Sequence, residues 1–364
     1  MTDRSTPQPP ARIASLDQFR GYTVAGMLLV NFLGAFAVVP AILKHHNTYC
    51  SYADTIMPQF FFAVGFAYRL TFLRRLASVG ARAASAAVLR RCAGLALIGF
   101  ALYHLDGEVK SWSELQRLGL GGFFRTAFQR EFFQTLVHIA VTSVWILPVI
   151  GARESVRVVF LVASAALHVG LSRWFYFDFA WNRPVIDGGP LGFLTWTVPM
   201  LVGSLAYDAV GRDGANRGVV AKLAGWSVVL MLAGYGVSCL GGAPAAPPFV
   251  APDGPVNLWT MSQRAGSVSY LTFGAGFSLA VYVLFLALCD LPGAGRGLDI
   301  GLFRSFGRNA LVAYVMHSLV SGAVKAYVPG DAPRWYVAAG FALYFAINYL
   351  FVRGLEKDRV FVKL

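Results

Sequence analysis

The sequence has little charge. Only 13% of its 364 residues are Asp, Glu, Lys or Arg, whereas 57% are hydrophobic. A soluble globular domain normally carries about twice that charged fraction, so the composition excludes a soluble enzyme. It also excludes a disordered chain, because disordered chains are poor in apolar residues.

Cysteines and familiar cofactor motifs are also scarce. Four Cys in 364 residues exclude a disulfide scaffold. The Cys and His spacings do not match a zinc site, and the sequence has no phosphate-binding loop, nucleophile elbow or dinucleotide fingerprint. We therefore expect no metal, and we expect any chemistry to be carried by residues on several helices.

The chain is instead divided into long apolar segments. A helix needs about 20 apolar residues to cross a bilayer. This pattern predicts an all-α polytopic membrane protein, with a polar disordered tail at 1–14 and a single domain of about ten transmembrane helices at 15–364. The predicted spans are 20–42, 53–73, 88–104, 132–150, 157–172, 190–208, 222–240, 266–289, 308–326 and 335–352.

The positive charges predict the orientation of these spans. The formal net charge is +13, and cytoplasmic loops of membrane proteins are rich in Lys and Arg. With both termini in the cytoplasm, 21 of the 31 Lys and Arg residues lie on the inner side. Cytoplasmic loops thus account for the positive charge, and we expect a lipid bilayer and no nucleic acid as partners. The same orientation places Cys50 near the outer face and Cys92 near the inner face.

Two segments lie outside the spans. Residues 104–131 mix charges with apolar residues such as Trp112 and Leu120, a pattern typical of an amphipathic helix at the membrane surface. Gly241–Val256 is rich in Pro and predicts an external loop.

Polar side chains in or beside apolar spans are the candidates for function, because the bilayer disfavours them. Asn31 lies about halfway along the first span, His45 and His46 lie at its outer end, and Asp54 opens the second span. An imidazole held by a carboxylate is a general-base arrangement. The alternative is that both His residues are solvated and Asp54 is a helix N-cap.

Further polar residues lie in later spans. His138 and His168 are interpreted as interhelical hydrogen-bonding residues; a haem site would need the two rings to face each other. Asn309, Tyr314 and His317 recur along the ninth span and predict a wide polar face.

Four blocks of sequence, taken in order, resemble the heparan-α-glucosaminide N-acetyltransferase family of transmembrane acyltransferases. The blocks are Ser15–Gly21 with Asn31, Lys44-His45-His46 and Ala53–Pro58; Asp187–Gly192; Asn257–Ser262; and Phe306–Leu311 with Tyr314 and His317. The resemblance covers residues 13–320. Each block is modest alone, and their shared order makes the resemblance specific.

The resemblance implies an enzyme that moves an acetyl group from cytoplasmic acetyl-CoA to an amino or hydroxyl group of a sugar or glycan on the far side of the membrane. It implies a catalytic His at the outer end of the first helix, assisted by Asn31. The alignment with fewest gaps selects His45, whereas Tyr49, in place of the family's Trp, selects His46. Asp54 is expected to orient the imidazole.

Binding residues follow from the chemistry of the two substrates. The phosphates of CoA require cations on the cytoplasmic side, and a sugar requires hydrogen-bonding and stacking side chains on the outer side. The candidate CoA-binding residues are Arg20, Arg69, Arg308 and Asn309. The candidate acceptor-binding residues are Asp187, Asn257, Trp259 and His317.

Two other functions compete with acetyl transfer. A multipass transporter or flippase also needs polar residues within spans, and a haem-binding redox protein needs paired His. The excess of Arg over Lys indicates a GC-rich bacterium and hence the bacterial cytoplasmic membrane. A homodimer is left open.

Overall fold

A computed structural model of the chain describes residues 13–104, 109, 111–129, 132–183, 185–242, 245–252, 254–291 and 297–362, and every regular element among these residues is helical. The α-helices are α1 (Ala14–Leu33), α2 (Tyr52–His104), α3 (Trp112–Gln129), α4 (Thr135–Trp145), α5 (Leu147–Ile150), α6 (Glu154–Leu171), α7 (Phe177–Trp181), α8 (Phe193–Asp213), α9 (Arg217–Ser238), α10 (Val268–Cys289), α11 (Gly301–Arg308), α12 (Ala310–Lys325) and α13 (Arg334–Lys357).

Six of the described helices are long and apolar enough to cross a membrane. They are Tyr52–Tyr103, Glu154–Trp181, Gly189–Asp213, Arg217–Gly241, Val268–Cys289 and Arg334–Lys357. Two apolar segments, Thr135–Ile150 and Ala310–Lys325, are shorter. These helices agree with the prediction of an all-α polytopic membrane protein, whereas the count of ten crossings stays a prediction.

Helix α2 contains two helical halves that lie side by side. Gly80 interrupts it with φ 79° and ψ 170°, a conformation that Gly adopts without steric cost. Phe60 from the first half and Tyr103 from the second both contact Tyr314; the two tyrosine hydroxyl oxygens are 2.6 Å apart. The predicted spans 53–73 and 88–104 correspond to these two halves.

Helices α8 and α10 form the centre of the bundle. Within their apolar stretches 78% and 61% of the residues are buried, against 22% to 28% for the other four long apolar helices. Helix α8 packs on α2 through reciprocal glycines: a Cβ on Gly65 would overlap the carbonyl of Met200, and one on Gly203 would overlap that of Phe62. Glycine allows this close approach of two backbones, which sets the first half of α2 firmly against α8.

Several segment boundaries differ from the sequence prediction. Helix α1 ends at Leu33 rather than near residue 42, because the apolar residues after Gly34 pack as an irregular segment; Phe36 is buried and the Ala37 amide donates to Gly330. Hydropathy alone does not distinguish such a segment from helix. Ala14 already belongs to α1, and residues 1–12 of the predicted tail lie outside the described residues.

The predictions for non-spanning segments agree with the described parts. Helix α3 lies within 104–131 and exposes Trp112 and Leu120, as a surface helix would. After a short helical turn that ends at Gly241, the described residues of 242–256 contain no helix. Cys50 and Cys92 are both buried, so neither side chain reports directly on the two faces.

Candidate active site

The residues singled out near the first span meet at one end of the bundle, here called the His45 end. It comprises the loop 34–51 and the described residues of the segments 182–192 and 239–267. Asp54 lies in the first turn of α2 and is buried, while His45 lies in the loop that precedes this helix. The Nδ1 atom of His45 is 2.9 Å from the Asp54 Oδ1 atom, so the predicted imidazole–carboxylate pair is present.

The Asp54 carboxylate is held by backbone and side-chain donors around it. Its Oδ2 atom accepts hydrogen bonds from the Ser51 amide and the Ser51 hydroxyl, both at 2.9 Å, and from the His46 amide at 3.4 Å. These bonds fix the carboxylate while Oδ1 accepts from His45. Because Nδ1 of His45 is engaged, Nε2 is the ring nitrogen available to a substrate.

The electrostatic environment favours a proton on His45. Burial opposes the charged imidazolium, but the hydrogen bond and negative charge of Asp54, with smaller contributions from Asp187 and Gln263, outweigh it and raise the pKa of His45. The side chain keeps 47% of its accessible surface. This exposed part of the ring lines a cavity enclosed by protein. The surrounding protein therefore still disfavours a positive charge on the imidazole.

His46 has different partners. Its Nε2 atom donates to the Ala41 carbonyl at 2.8 Å, and its ring stacks on Tyr49 with the ring centroids 4.3 Å apart. These contacts tie the ring to the loop. The two neighbouring imidazoles therefore differ: one is held by a buried carboxylate, and the other by a backbone carbonyl and an aromatic ring.

His45 and His46 open on a cavity of about 340 Å³. Its wall also contains Asn31 and Asp187, two further residues singled out by the sequence. The remaining lining residues are Met27, Val30, Asn47, Ile56, Met57, Phe60, Tyr103, Gln134, Thr135, Ile186, Gln263, Arg264 and Tyr314. Helices α1, α2, α4 and α12 and the loops between helices thus contribute to one cavity.

Asn31 is positioned by helix α12. Its Nδ2 atom is 3.3 Å from Nε2 of His317, and Nδ1 of His317 donates to the Tyr314 carbonyl, which leaves Nε2 as an acceptor. Lys325 donates to the Asn31 carbonyl at 2.8 Å. His317 is buried behind Asn31 and does not line the cavity, so its contact is with the asparagine.

Asp187 forms the opposite wall with a residue that the sequence analysis missed. Gln263 donates to Oδ1 of Asp187 at 2.6 Å, and the Asp187 carbonyl accepts from the Trp196 indole at 2.7 Å. Asp187 has a φ of 57°, a strained conformation for a residue with a side chain. The only sequence signal for Gln263 is its place between the Asn257–Ser262 block and α10.

Asn257 and Trp259 do not line this cavity. Asn257 lines a second one of about 520 Å³, between residues 48–50 and the Pro-rich loop. The amide of Trp259 donates to the Asn257 side chain at 2.8 Å, so the pair forms a local turn. The structure thus separates these two residues from Asp187.

The candidate CoA-binding residues lie at the opposite end of the bundle, in separate clusters. Arg69 pairs with Asp208 at 3.0 Å, and Arg157 pairs with the same carboxylate. Arg308 pairs with Glu356 at 2.9 Å. Arg20 lies 3.7 Å from Asp17, and the side chain of Asn309 bonds to the backbone of Val360 and Val362.

His138 and His168 lie in different surroundings. His138 lies beside Trp196 with both ring nitrogens unpaired, which contradicts the predicted interhelical hydrogen bond. His168 contacts Tyr176, and its Nδ1 atom is 3.4 Å from the hydroxyl of Ser172, a residue of the same helical segment. Within the described ranges, no three His, Cys, Asp or Glu residues form a group that could hold a metal ion.

The fold and this cavity define a class: a polytopic helical membrane protein with an imidazole–carboxylate pair opening on a polar cavity at one end. No family model matches the chain, and no curated protein matches it either. The evidence for a function is therefore the motif resemblance and the geometry of the site.

Proposed function

We propose that this protein is an acetyl-CoA-dependent membrane acetyltransferase that acts on an amino or hydroxyl group of a sugar or glycan. The observation that supports the proposal most is the His45–Asp54 pair, which opens on a cavity that also contains Asn31. The acyltransferase resemblance implies Asn31 and one of the two imidazoles, and Asp54 is the carboxylate expected to orient the imidazole. The location is the bacterial cytoplasmic membrane, and a homodimer is compatible with the proposal.

The proposed topology has ten crossings with both termini in the cytoplasm. The two halves of α2 count as two crossings, and α4 with α5 counts as one. The others are α1, α6, α8, α9, α10, α12 and α13. In this topology the His45 end faces outward, and the end with Arg69 and Arg308 faces the cytoplasm, in agreement with the distribution of positive charge.

The proposed chemistry uses His45 as the base. Nε2 of His45 removes a proton from the attacking amine or hydroxyl, or itself accepts the acetyl group before transfer. In the first route the acceptor atom bonds to the acetyl carbon as the carbon–sulfur bond breaks, and the imidazolium gives its proton to the CoA thiolate. In the second route Nε2 bonds to the acetyl carbon and the CoA thiolate leaves; the acceptor atom then bonds to that carbon, the bond to Nε2 breaks, and the proton of the acceptor passes to the thiolate. Asp54 stabilises the imidazolium that forms in the first route.

Asn31 and the opposite wall support the two substrates. One N–H of the Asn31 amide points to His317, and the other is available to the thioester carbonyl. Asp187, oriented by Gln263, suits the ammonium or hydroxyl of the acceptor. His317 acts by holding Asn31, and Asn257 and Trp259 are candidates for contacts further from the reacting atom.

At the cytoplasmic end, the CoA phosphates meet ion-pair clusters that retain positive charge. Two arginines share the carboxylate of Asp208, and Arg304, Arg308 and Arg353 surround Glu356. The three arginines at Glu356 are each about a third exposed and keep donors for a phosphate. Arg69 and Arg157 are buried against Asp208, so this cluster contributes positive charge and no exposed guanidinium. Arg20 and Asn309 are nearby candidates for the same substrate.

The deciding experiment is acetyl transfer by the purified protein in lipid vesicles, measured as free CoA thiol and acetylated glucosamine. His45→Ala is expected to lower kcat by about 10²- to 10⁴-fold, the usual contribution of a general base. The matched neighbour variant His46→Ala is expected to keep most of the activity.

Two results would contradict the proposal. Full transfer activity in His45→Ala would exclude the assigned base. Movement of glucosamine across the vesicle membrane without any acetylation would favour the transporter alternative.

A further inference from the structure

The hairpin formed by the two halves of α2 carries a block of unpaired positive charge. Residues 55–105 contain six Arg and no Asp or Glu. Arg69 pairs with Asp208. In the part of the chain that the structure describes, the other five have no carboxylate partner: Arg74, Arg75, Arg82, Arg90 and Arg91.

Two of these guanidinium groups meet in one groove. Arg75 lines this groove from the first half of α2, together with Tyr68 and Thr71. Arg91 lines it from the second half. The other lining residues are Val88, Cys92, Leu95 and Ser143. Two like charges in one groove repel each other, and their proximity costs free energy unless an anion lies between them.

The arginines are the free donors of this groove. The Tyr68 hydroxyl already donates to the Ser143 carbonyl at 3.2 Å, and the Thr71 hydroxyl donates to Ala67 at 2.8 Å. Each guanidinium carries five N–H donors in a planar fork, which matches the oxygens of a phosphate. The chemistry of the groove is therefore that of a phosphate site.

The surroundings of the groove indicate where the phosphate comes from. The enclosed space is small, about 20 Å³, so it does not hold a whole nucleotide. The second half of α2 carries exposed apolar side chains: Leu89, next in sequence to the lining residue Val88, is 48% exposed, and Leu97 further along the helix is 68% exposed. A phosphate at the groove with hydrocarbon chains along these side chains is the arrangement of a phospholipid.

We propose that Arg75 and Arg91 bind the phosphate of an anionic phospholipid against the α2 hairpin. Arg74, Arg82 and Arg90 add long-range attraction, because each basic residue near an anionic membrane surface contributes to lipid binding. The site is separate from the cavity at His45. It does not depend on acetyl transfer.

The test measures the thermal stability of the detergent-purified full chain with added lipid. Phosphatidylglycerol is expected to raise Tm by several degrees more than phosphatidylcholine does. The double variant Arg75→Gln/Arg91→Gln is expected to lose most of this difference. Arg74→Gln/Arg82→Gln removes the same charge outside the groove and is expected to keep most of it.

Two further arms decide the source of the phosphate. Inorganic phosphate and acetyl-CoA are added in place of lipid, and neither is expected to reproduce the stabilisation. Equal stabilisation by either soluble phosphate, by phosphatidylcholine, or in the groove variant would overturn the proposal. Native mass spectrometry of the unmodified protein is a second readout, in which the absence of bound phosphatidylglycerol after mixing with both lipids would also overturn it.

Discussion

Replacement of Asp54 by Asn tests the proposed base most directly, because it removes a charge and keeps the size of the side chain. The Asp54 carboxylate accepts from His45 and holds the imidazole with Nε2 towards the cavity. A hydrogen bond to a charged group contributes about 1.5–3 kcal/mol. At 1.4 kcal/mol per tenfold change, the expected loss of kcat is about 10- to 100-fold.

The same substitution has an expected effect on pH dependence. Asp54 raises the pKa of His45, so removal of the carboxylate charge lowers this pKa. A general base must be neutral, and activity therefore falls as the pH drops through its pKa. In Asp54→Asn the acid limb of the pH–rate profile is expected to move to lower pH while the plateau drops.

The assay is release of CoA thiol with glucosamine as acceptor, followed from about pH 5 to pH 9, the range that spans imidazole titration. Asp178→Asn is the control, since Asp178 is an exposed carboxylate on α7. Tm measurements check that the buried substitution leaves the protein folded. An unchanged acid limb, or one that moves to higher pH in folded Asp54→Asn, refutes the assignment of His45 as base.

Three other predictions follow from the geometry. Gly203→Val, which places side-chain atoms against the Phe62 backbone, is expected to destabilise the protein by about 1–3 kcal/mol and to lower Tm, whereas an unchanged Tm would show that α2 and α8 do not pack closely. In a background without native Cys, Val250→Cys is expected to react with an impermeant maleimide from outside and Ser78→Cys only after permeabilisation; the reverse pattern would invert the topology. His317→Ala is expected to lower kcat about tenfold through Asn31, an effect absent in an Asn31→Ala background if the two act together.

The class of fold followed from composition, because a bilayer imposes length and polarity on every helix that crosses it. The long apolar segments predicted helix at each proposed span, and each of these segments overlaps a helix of the structure. Helix ends were less predictable. The residues after Gly34 are as apolar as those of a helix but do not continue α1, because hydropathy reports the polarity of side chains and not the conformation of the backbone.

The local part of the candidate site was also predictable. His45 and Asp54 are nine residues apart across one tight loop, so chain connectivity alone keeps them close. Which of the two imidazoles pairs with Asp54 depended on the conformation of the loop, which the sequence did not give. Only the folded loop ties His46 to Ala41 and Tyr49 and leaves His45 to the carboxylate.

The long-range part of the site was decided by tertiary structure alone. Asn31 and His317 are 286 residues apart, and Asp187 meets Gln263 across 76 residues. Hydropathy and motif spacing describe each segment by itself, and they do not give the rotation of one helix against another. The sequence therefore determined a polytopic membrane protein and its local imidazole–carboxylate pair. Helix packing decided which distant side chains share the cavity, because that depends on close backbone contacts such as those at Gly65 and Gly203.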